Sequence, residues 1–136
     1  MTGEKNLTKL IQKMTPELQP GVYVFTTVKA TDLIERKDII CEFKEQEGIT
    51  LVLKRETADN LNLKYEFIAS WITLKIHSSL DAVGLTAIFS TELAANEISC
   101  NVIAGYFHDH IFVNTEDVEK TIEVLKRLSG NYPNKN

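Results

Sequence analysis

The amino-acid sequence predicts an α+β protein made of two tandem copies of one small fold. Residues 71–113 read, in order, as a strand, a helix and two further strands, with turn signals between them. A strongly amphipathic helix follows from residue 115. Residues 22–68 show a weaker version of the same order. Both halves resemble the ferredoxin-like βαββαβ unit, an antiparallel sheet with helices on one face.

Composition sets limits on the class of protein. The chain has 136 residues, of which 43% are apolar and 25% charged, as in ordinary globular proteins. A formal net charge of -4 argues against a nucleic-acid-binding protein, which usually carries a basic face. No stretch approaches the roughly 18 apolar residues of a membrane helix, and the first residues lack the apolar core of a signal peptide. We therefore expect a cytoplasmic protein that binds neither nucleic acid nor membrane.

Short elements separated by turn residues make up the N-terminal half. A first helix, capped by Asn6 or Thr8, ends at Thr15-Pro16, because the residue before a proline leaves the helical region. The elements predicted after it are a strand at Val22–Val28, an irregular segment at Lys29–Lys37, a hairpin of Asp38–Phe43 with Ile49–Leu53, a helix at Glu56–Leu63 and an extended segment at Lys64–Ile68.

The C-terminal half carries clearer signals. From Trp71 to His77 apolar and polar residues alternate, which predicts a strand. Asp81 is the predicted N-cap of a helix that ends at Ala95, where Asn96 takes the left-handed conformation. The remaining predicted elements are strands at Ile98–Ala104 and Asp109–Val113, joined by a turn at Gly105–His108, and a last helix capped by Thr115 and stopped at Gly130.

These elements divide into an N-terminal degenerate unit at residues 1–68, a C-terminal unit at 69–130 and a flexible tail at 131–136. The C-terminal unit is one strand short of the full pattern. Within the chain, the strand Val22–Val28 is the candidate for the missing strand. The alternative is that a second subunit supplies it. Because an uncovered strand edge invites pairing, we expect a homodimer formed through a sheet edge or the helix faces.

The loop from Ser78 to Gly84 is the best candidate for a small-molecule site. It leads from a strand into a helix, whose first N–H groups and partial positive charge suit a carboxylate. Ser78 and Ser79 add hydroxyl groups, Asp81 suits an ammonium group, and Gly84 permits close approach of a ligand. This combination fits an α-amino acid. The alternative is that Asp81 only caps the helix and the serines only solvate a turn.

Other polar residues are weaker candidates. Asn101 interrupts an apolar strand, where it binds a ligand or satisfies a backbone group. His108 and His110 have a spacing compatible with a divalent metal, but without further ligands a polar turn is the favoured interpretation, and we predict no metal site. His77 is best interpreted as a strand-end residue.

Catalytic and redox motifs are absent from the sequence. There is no GxSxG, P-loop, HExxH or CxxC pattern, so we expect neither an enzyme nor a cofactor. Cys41 and Cys100 stand far apart in apolar contexts, which favours buried reduced thiols over a disulfide or redox pair.

The segment DAVGL at Asp81–Leu85 resembles the D-x-P-G-[LV] signature that opens the first helix of ACT domains, with Val83 in place of the proline. The strings HSSLDAVGLTAIF, ISCNVIAGYFHDHIFV, PGVYVFTTV, EFKEQEGITLVL and ETADNLNL are similar to the small stand-alone ACT-domain proteins of bacteria, so the resemblance covers nearly the whole chain. It implies two tandem ACT-like units without a catalytic domain.

The resemblance also implies a place for a ligand, and an amino acid is the ligand that we expect. Related ACT domains bind small molecules between the loop that joins their first strand to their first helix and a neighbouring unit or subunit. In this chain that loop is Ser78 to Gly84. By position, the ligand-binding residues implied here are Ser78, Ser79, Asp81, Val83 and Gly84 of the loop, with Asn101, Val102 and Ile103 on the facing strand. The second interpretation is a ligand-free interaction module that dimerises and docks on a metabolic enzyme or regulator.

Overall fold

The computed structural model describes residues 6–133, which contain four α-helices and seven β-strands. The helices are α1 (Leu7–Lys13), α2 (Arg55–Asn60), α3 (Leu85–Ala95) and α4 (Val118–Asn131). The strands are β1 (Thr15–Leu18), β2 (Tyr23–Val28), β3 (Ile39–Lys44), β4 (Ile49–Lys54), β5 (Ile68–Lys75), β6 (Asn101–Ala104) and β7 (Asp109–Asn114). The predicted fold class, α+β with antiparallel strand pairing, is confirmed.

Contacts divide the described chain into two compact units. One contains residues 20–70, and the other combines residues 6–19 with residues 71–133. This division differs from the predicted boundary between residues 68 and 69, chiefly because the N-terminal segment belongs to the second unit. Leu10 and Ile11 of α1 are fully buried in the same apolar cluster as Phe89 and Leu125. Burial of such side chains, at roughly 1.5–3 kcal/mol each, holds the segment there.

The unit of residues 20–70 has the strand order β3-β4-β2-β5. Strand β2 pairs with β4 along its whole length, and with β5 only at Tyr23 and Val24. The predicted strands and hairpin are confirmed. Helix α2 is shorter than predicted, because Asn62 takes a positive φ of 55° just after it. The charged segment before β3 contains a single 3-10 turn at Arg36–Asp38.

The second unit has the strand order β1-β5-β7-β6. Its fourth strand is Thr15–Leu18, which pairs antiparallel with Ile72–Lys75. Both predicted sources of this strand, Val22–Val28 and a second subunit, are therefore wrong. Apart from Thr15, the segment TPEL lacks the β-branched and aromatic residues that mark strands. Pro16, which has no N–H, is tolerated there because β1 lies at an edge.

Helix ends differ from their predicted positions where backbone conformation decides them. Helix α3 begins at Leu85 after Gly84, whose φ is 98°, so Asp81 is not its N-cap. After α3 the left-handed residue is Glu97, with a φ of 62°, and not Asn96. Strand β6 consequently starts at Asn101, three residues later than predicted.

The last helix also begins and ends differently. Asn114, not Thr115, caps the 3-10 turn Thr115–Asp117 that leads into α4, by accepting a hydrogen bond from the Glu116 N–H at 3.0 Å. Helix α4 continues through Gly130 to Asn131. Of the tail predicted to be flexible at 131–136, residues 134–136 lie outside the described residues. Within the described residues no helix has the length and apolarity needed to cross a membrane.

Candidate functional site

Hydrogen bonds within the loop between β5 and α3 hold it in a turn. The Ala82 N–H donates to the Ser79 carbonyl oxygen at 3.0 Å, which forms a turn. The Ser79 hydroxyl donates to a carboxylate oxygen of Asp81, and the Asp81 N–H lies 3.4 Å from the same hydroxyl. Ser78 donates its N–H to Ile76 O at 3.1 Å. Ser79 and Asp81 are therefore brought together, with the carboxylate turned toward the loop.

Helix α3 begins without a side-chain cap. Gly84 occupies the N-cap position, where no side chain accepts a hydrogen bond from the first turn. A side-chain oxygen at this position normally satisfies one of the exposed N–H groups of a helix. Here those groups and the positive end of the helix dipole favour an anion, as the sequence predicted for this loop.

One side of Gly84 is already filled by the chain itself. A Cβ atom at this position would lie 3.2 Å from Leu7 Cδ2 of α1. The close approach that the glycine permits is therefore used by Leu7. Sequence reasoning missed Leu7, because nothing in the local pattern connects residues 77 positions apart.

The outer side of the loop is apolar. Val83 is 85% exposed and Leu80 is 69% exposed. Next to the loop, the His77 ring lies 6.1 Å from the Tyr106 ring and 5.6 Å from the Phe107 ring, measured between centroids. These two aromatic residues form the tip of the β6–β7 hairpin. His77 is thus part of an exposed aromatic cluster and not only a strand-end residue.

The three predicted residues on β6 point in two directions. Val102 packs against the apolar cluster beneath the helices. Because strand residues alternate, Asn101 and Ile103 lie on the opposite, helix-free face. The Asn101 side-chain amide donates to Phe112 O on β7 at 3.4 Å, a long hydrogen bond that satisfies a backbone group. The structure therefore does not bring these three side chains together on one face.

A polar network around His110 lies on the helix-free face. Trp71 Nε1–H donates to His110 Nδ1 at 3.0 Å, so this nitrogen is an acceptor and the neutral ring carries its proton on Nε2. Thr73 Oγ1 lies 3.1 Å from the same nitrogen and accepts from Gln19 Nε2 at 2.9 Å. Burial, with a smaller contribution from His108, lowers the pKa of His110. No pattern in the sequence predicts this network, because its residues are far apart in the chain.

The two histidines of the predicted pair have different surroundings. His108 lies in the turn before β7, and His110 Nδ1 is taken by Trp71. The buried His108 Nδ1 has no hydrogen-bond partner within residues 6–133. In the same part of the chain no three His, Cys, Asp or Glu side chains form a group suited to a metal ion. Burial also raises the pKa of Asp109, which lies between the two histidines.

The cysteines are unpaired thiols. Both Cys41 and Cys100 are free and half-buried, so the predicted disulfide alternative is wrong. Burial raises the pKa of Cys100 to about 11, which keeps it protonated near neutral pH and unreactive.

Surface depressions occur in the unit of residues 20–70, and two of them lie beside β2 and α2. The larger, of about 890 Å³, lies where β2 separates from the segment before β5. There the Thr26 hydroxyl donates to Lys64 O at 2.6 Å, in place of a ladder hydrogen bond. The smaller, of about 480 Å³, contains Lys54 and Arg55 at one end of α2, next to Gly21. Neither was anticipated from the sequence.

Comparison with known proteins identifies the fold family. One ACT-domain family model matches residues 2–70 and a second matches residues 66–127. The chain belongs to the ACT-domain family. No curated protein matches it.

Solved structures share this fold. A Vibrio cholerae protein of unknown function, described as a possible transport protein, is 46% identical to this ACT-domain chain over 92% of it and 97% of the other, with a TM-score of 0.82. An Agrobacterium tumefaciens protein is 17% identical, covers 85% and 89% of the two chains, and has a TM-score of 0.65.

A third structure is the regulatory subunit of aspartate kinase from Thermus thermophilus, in its ligand-free form. It is 10% identical, covers 83% of this chain and 95% of the other, and has a TM-score of 0.57. At such identities the likeness concerns the fold alone. The expected tandem arrangement of two ACT domains is confirmed by the two family matches.

Proposed function

We propose that this ACT-domain protein is a non-catalytic regulatory module that binds an amino acid at the loop Ser78–Gly84 and acts as a homodimer in the cytoplasm. The observation that carries the proposal is the uncapped start of α3 directly after the Ser79–Asp81 pair. Positive and negative partners for a zwitterion thus lie close together in the chain. The family membership and the fold shared with an aspartate kinase regulatory subunit support it.

Each group has a defined role in this proposal. The ligand carboxylate accepts hydrogen bonds from the free N–H groups of the first turn of α3, helped by the Ser78 hydroxyl. The Asp81 carboxylate, oriented by Ser79, binds the ammonium group. Val83, which is highly exposed, covers the ligand's aliphatic part. Asn101, Val102 and Ile103 belong to the facing strand of a neighbouring subunit.

Thermal-shift screening with the twenty amino acids tests the loop. A ligand at one hundred times its Kd stabilises a protein by about 2.7 kcal/mol, which raises the melting temperature measurably. We expect Asp81→Ala to abolish the shift and Asp32→Ala, an exposed acidic residue in the other unit, to preserve it. The proposal fails if no amino acid stabilises the wild type, or if both variants respond alike.

An alternative function is a ligand-free interaction module. It is favoured by the aromatic hairpin tip, where Tyr106 is 64% exposed and Phe107 is 60% exposed. Exposed apolar patches of this kind mark protein contacts. Under this alternative the wild type co-purifies with a metabolic enzyme or regulator, and the variant Tyr106→Ser/Phe107→Ser does not. Equal recovery of partners by both chains contradicts it.

A further inference from the structure

His110 is held on the helix-free face by side chains from other parts of its unit. The Trp71 N–H donates to His110 Nδ1 at 3.0 Å, and the two rings meet edge to face with their centroids 5.6 Å apart. Thr73 Oγ1, which lies 3.1 Å from the same nitrogen, is in turn held by Gln19. Because Nδ1 acts as an acceptor, this arrangement requires the neutral imidazole.

A proton on Nδ1 changes which of these contacts can exist. The protonated ring has donors at both nitrogens, so its Nδ1–H would face the Trp71 N–H, which is also a donor. Thr73 Oγ1 can still accept, because a hydroxyl oxygen has two lone pairs and Gln19 uses one of them. Proton uptake therefore breaks the contact with Trp71 and preserves the one with Thr73, so the two aromatic rings have to separate or turn.

The other side of the His110 ring lies against the tip of the β6–β7 hairpin. A Cβ atom at Gly105 would lie 3.1 Å from His110 Nε2 and 3.2 Å from its Cδ2, so only a glycine leaves room for the ring. The Gly105 N–H closes the turn by donating to His108 O at 2.9 Å. A movement of the His110 ring is therefore transmitted to the turn of residues 105–108.

This turn carries the exposed aromatic cluster. The Tyr106 and Phe107 rings meet edge to face with their centroids 5.0 Å apart. The His77 ring lies 6.1 Å from the first and 5.6 Å from the second. His77 directly precedes the loop of residues 78–84. Direct contacts thus connect His110, through the turn and the aromatic cluster, with the start of that loop.

Ionisable groups near His110 lie in its own hairpin and on the strands β1 and β5. Those on the strands are Glu17, which lies opposite Thr73, and Lys75, and they compensate each other in an ion pair of 3.1 Å. Those in the hairpin are His108 and Asp109. The residue opposite His110 on β6 is Ile103, which does not titrate. Within residues 6–133 no carboxylate forms an ion pair with His110, so the contact with Trp71 decides the preferred state of the ring.

We propose that His110 is a proton-controlled latch for the hairpin tip. The neutral ring holds Trp71 and fixes the turn of residues 105–108, whereas proton uptake releases Trp71 and moves the turn together with the His77 ring. Charge changes at histidines switch local structure in this pH range in other proteins. The latch needs no ligand, so it goes beyond the proposed amino-acid site and can fail or hold independently of it.

Tryptophan fluorescence tests the release, because Trp71 is the only tryptophan of the chain. As pH falls from 8 to 4.5, we expect its emission to change in one step with a midpoint below 6.5, while far-ultraviolet circular dichroism stays constant. The step is expected to be absent in His110→Gln and retained in His77→Gln. A wild type without the step, or an equal step in His110→Gln, overturns the latch.

A second variant tests the same contact without replacing the histidine. Trp71→Phe keeps an aromatic ring beside His110 but removes the N–H that stabilises its neutral form. The midpoint of the His110 ring signals in a nuclear magnetic resonance titration is therefore expected to rise relative to the wild type. An unchanged or lower midpoint contradicts the proposal.

The transmission to the tip is measured by the ring signals of Tyr106 and Phe107 in His77→Gln, where the titration of His77 itself no longer affects them. We expect these signals to shift with the same midpoint as the Trp71 emission. In the matched control His77→Gln/His110→Gln this shift is expected to be lost. Tip signals that stay constant in His77→Gln, or that shift equally in the control, refute the coupling.

Discussion

At the scale of single residues, His110 has a defined protonation state and Gly84 has a defined backbone conformation. His110 is held neutral, because its Nδ1 accepts the Trp71 N–H and its surroundings are partly buried. Gly84 is held in a left-handed conformation with Leu7 against it. A testable prediction about the stability of the protein follows from each of these two residues.

For His110 the prediction is a pH-dependent stability. Its folded pKa lies below the ordinary value of 6.5, so the unfolded chain takes up the proton more readily. The stabilising contribution is complete above pH 6.5 and is lost as pH falls through the folded pKa. Denaturant unfolding between pH 7.5 and 5 measures it. In His110→Gln this component is expected to disappear, whereas His77→Gln retains it.

The raised pKa of Asp109 acts in the opposite direction and at lower pH, since protonation is favoured in the folded state. Asp109 is present in both the wild type and His110→Gln. Subtracting their free energies of unfolding at each pH therefore removes its contribution. Parallel pH profiles for these two proteins would contradict the assignment to His110.

Gly84→Ala is expected to lower the free energy of unfolding by about 1–3 kcal/mol, because alanine is strained at a φ of 98° and its Cβ meets Leu7 at 3.2 Å. Gly130→Ala is the control: it lies in α4 with nothing within 4 Å, and is expected to stabilise by about 0.5–1 kcal/mol. Urea unfolding measures both. A neutral Gly84→Ala would show that the left-handed conformation is not maintained in solution.

At the level of elements, the sequence predicted those with strong periodicity and missed one with none. The hairpin of β3 and β4, strand β7 and helix α4 all carry regular apolar patterns. Strand β1 carries none, because its four residues are mostly exposed and it pairs with one strand at the edge of the sheet. Helix α1 was predicted, but its role was not: it closes the core of the C-terminal unit.

Leu10→Ala is therefore expected to destabilise the protein by about 2–5 kcal/mol, although it lies near the N-terminus. Leu10 is 0% exposed within the cluster that contains Phe89. Leu33→Ala, at a side chain 90% exposed, is expected to change stability by less than about 0.5 kcal/mol. Thermal and urea unfolding measure both variants. Equal effects would mean that α1 does not pack on the core in solution.

At the scale of the whole molecule, the two compact units of the chain are not two consecutive segments. Residues 6–19 belong with residues 71–133, and strand β5 crosses the boundary at residue 70. A fragment of residues 71–133 lacks the edge strand β1 and the apolar face of α1. It should therefore be incomplete.

We expect that fragment to show no cooperative unfolding by circular dichroism, and a peptide of residues 6–19 to restore it. A matched peptide with Leu10→Lys and Ile11→Lys is expected to fail, because both side chains are fully buried. A fragment that folds cooperatively without the peptide would refute the shared organisation.

The sequence by itself determined the fold class, the family, most elements and the loop that leads into α3, because these depend on local periodicity, turn residues and short motifs. The tertiary structure alone decided the source of the fourth strand, the contact of Leu7 with Gly84 and the network on His110. Each of these joins residues far apart in the chain. No local pattern encodes such relations.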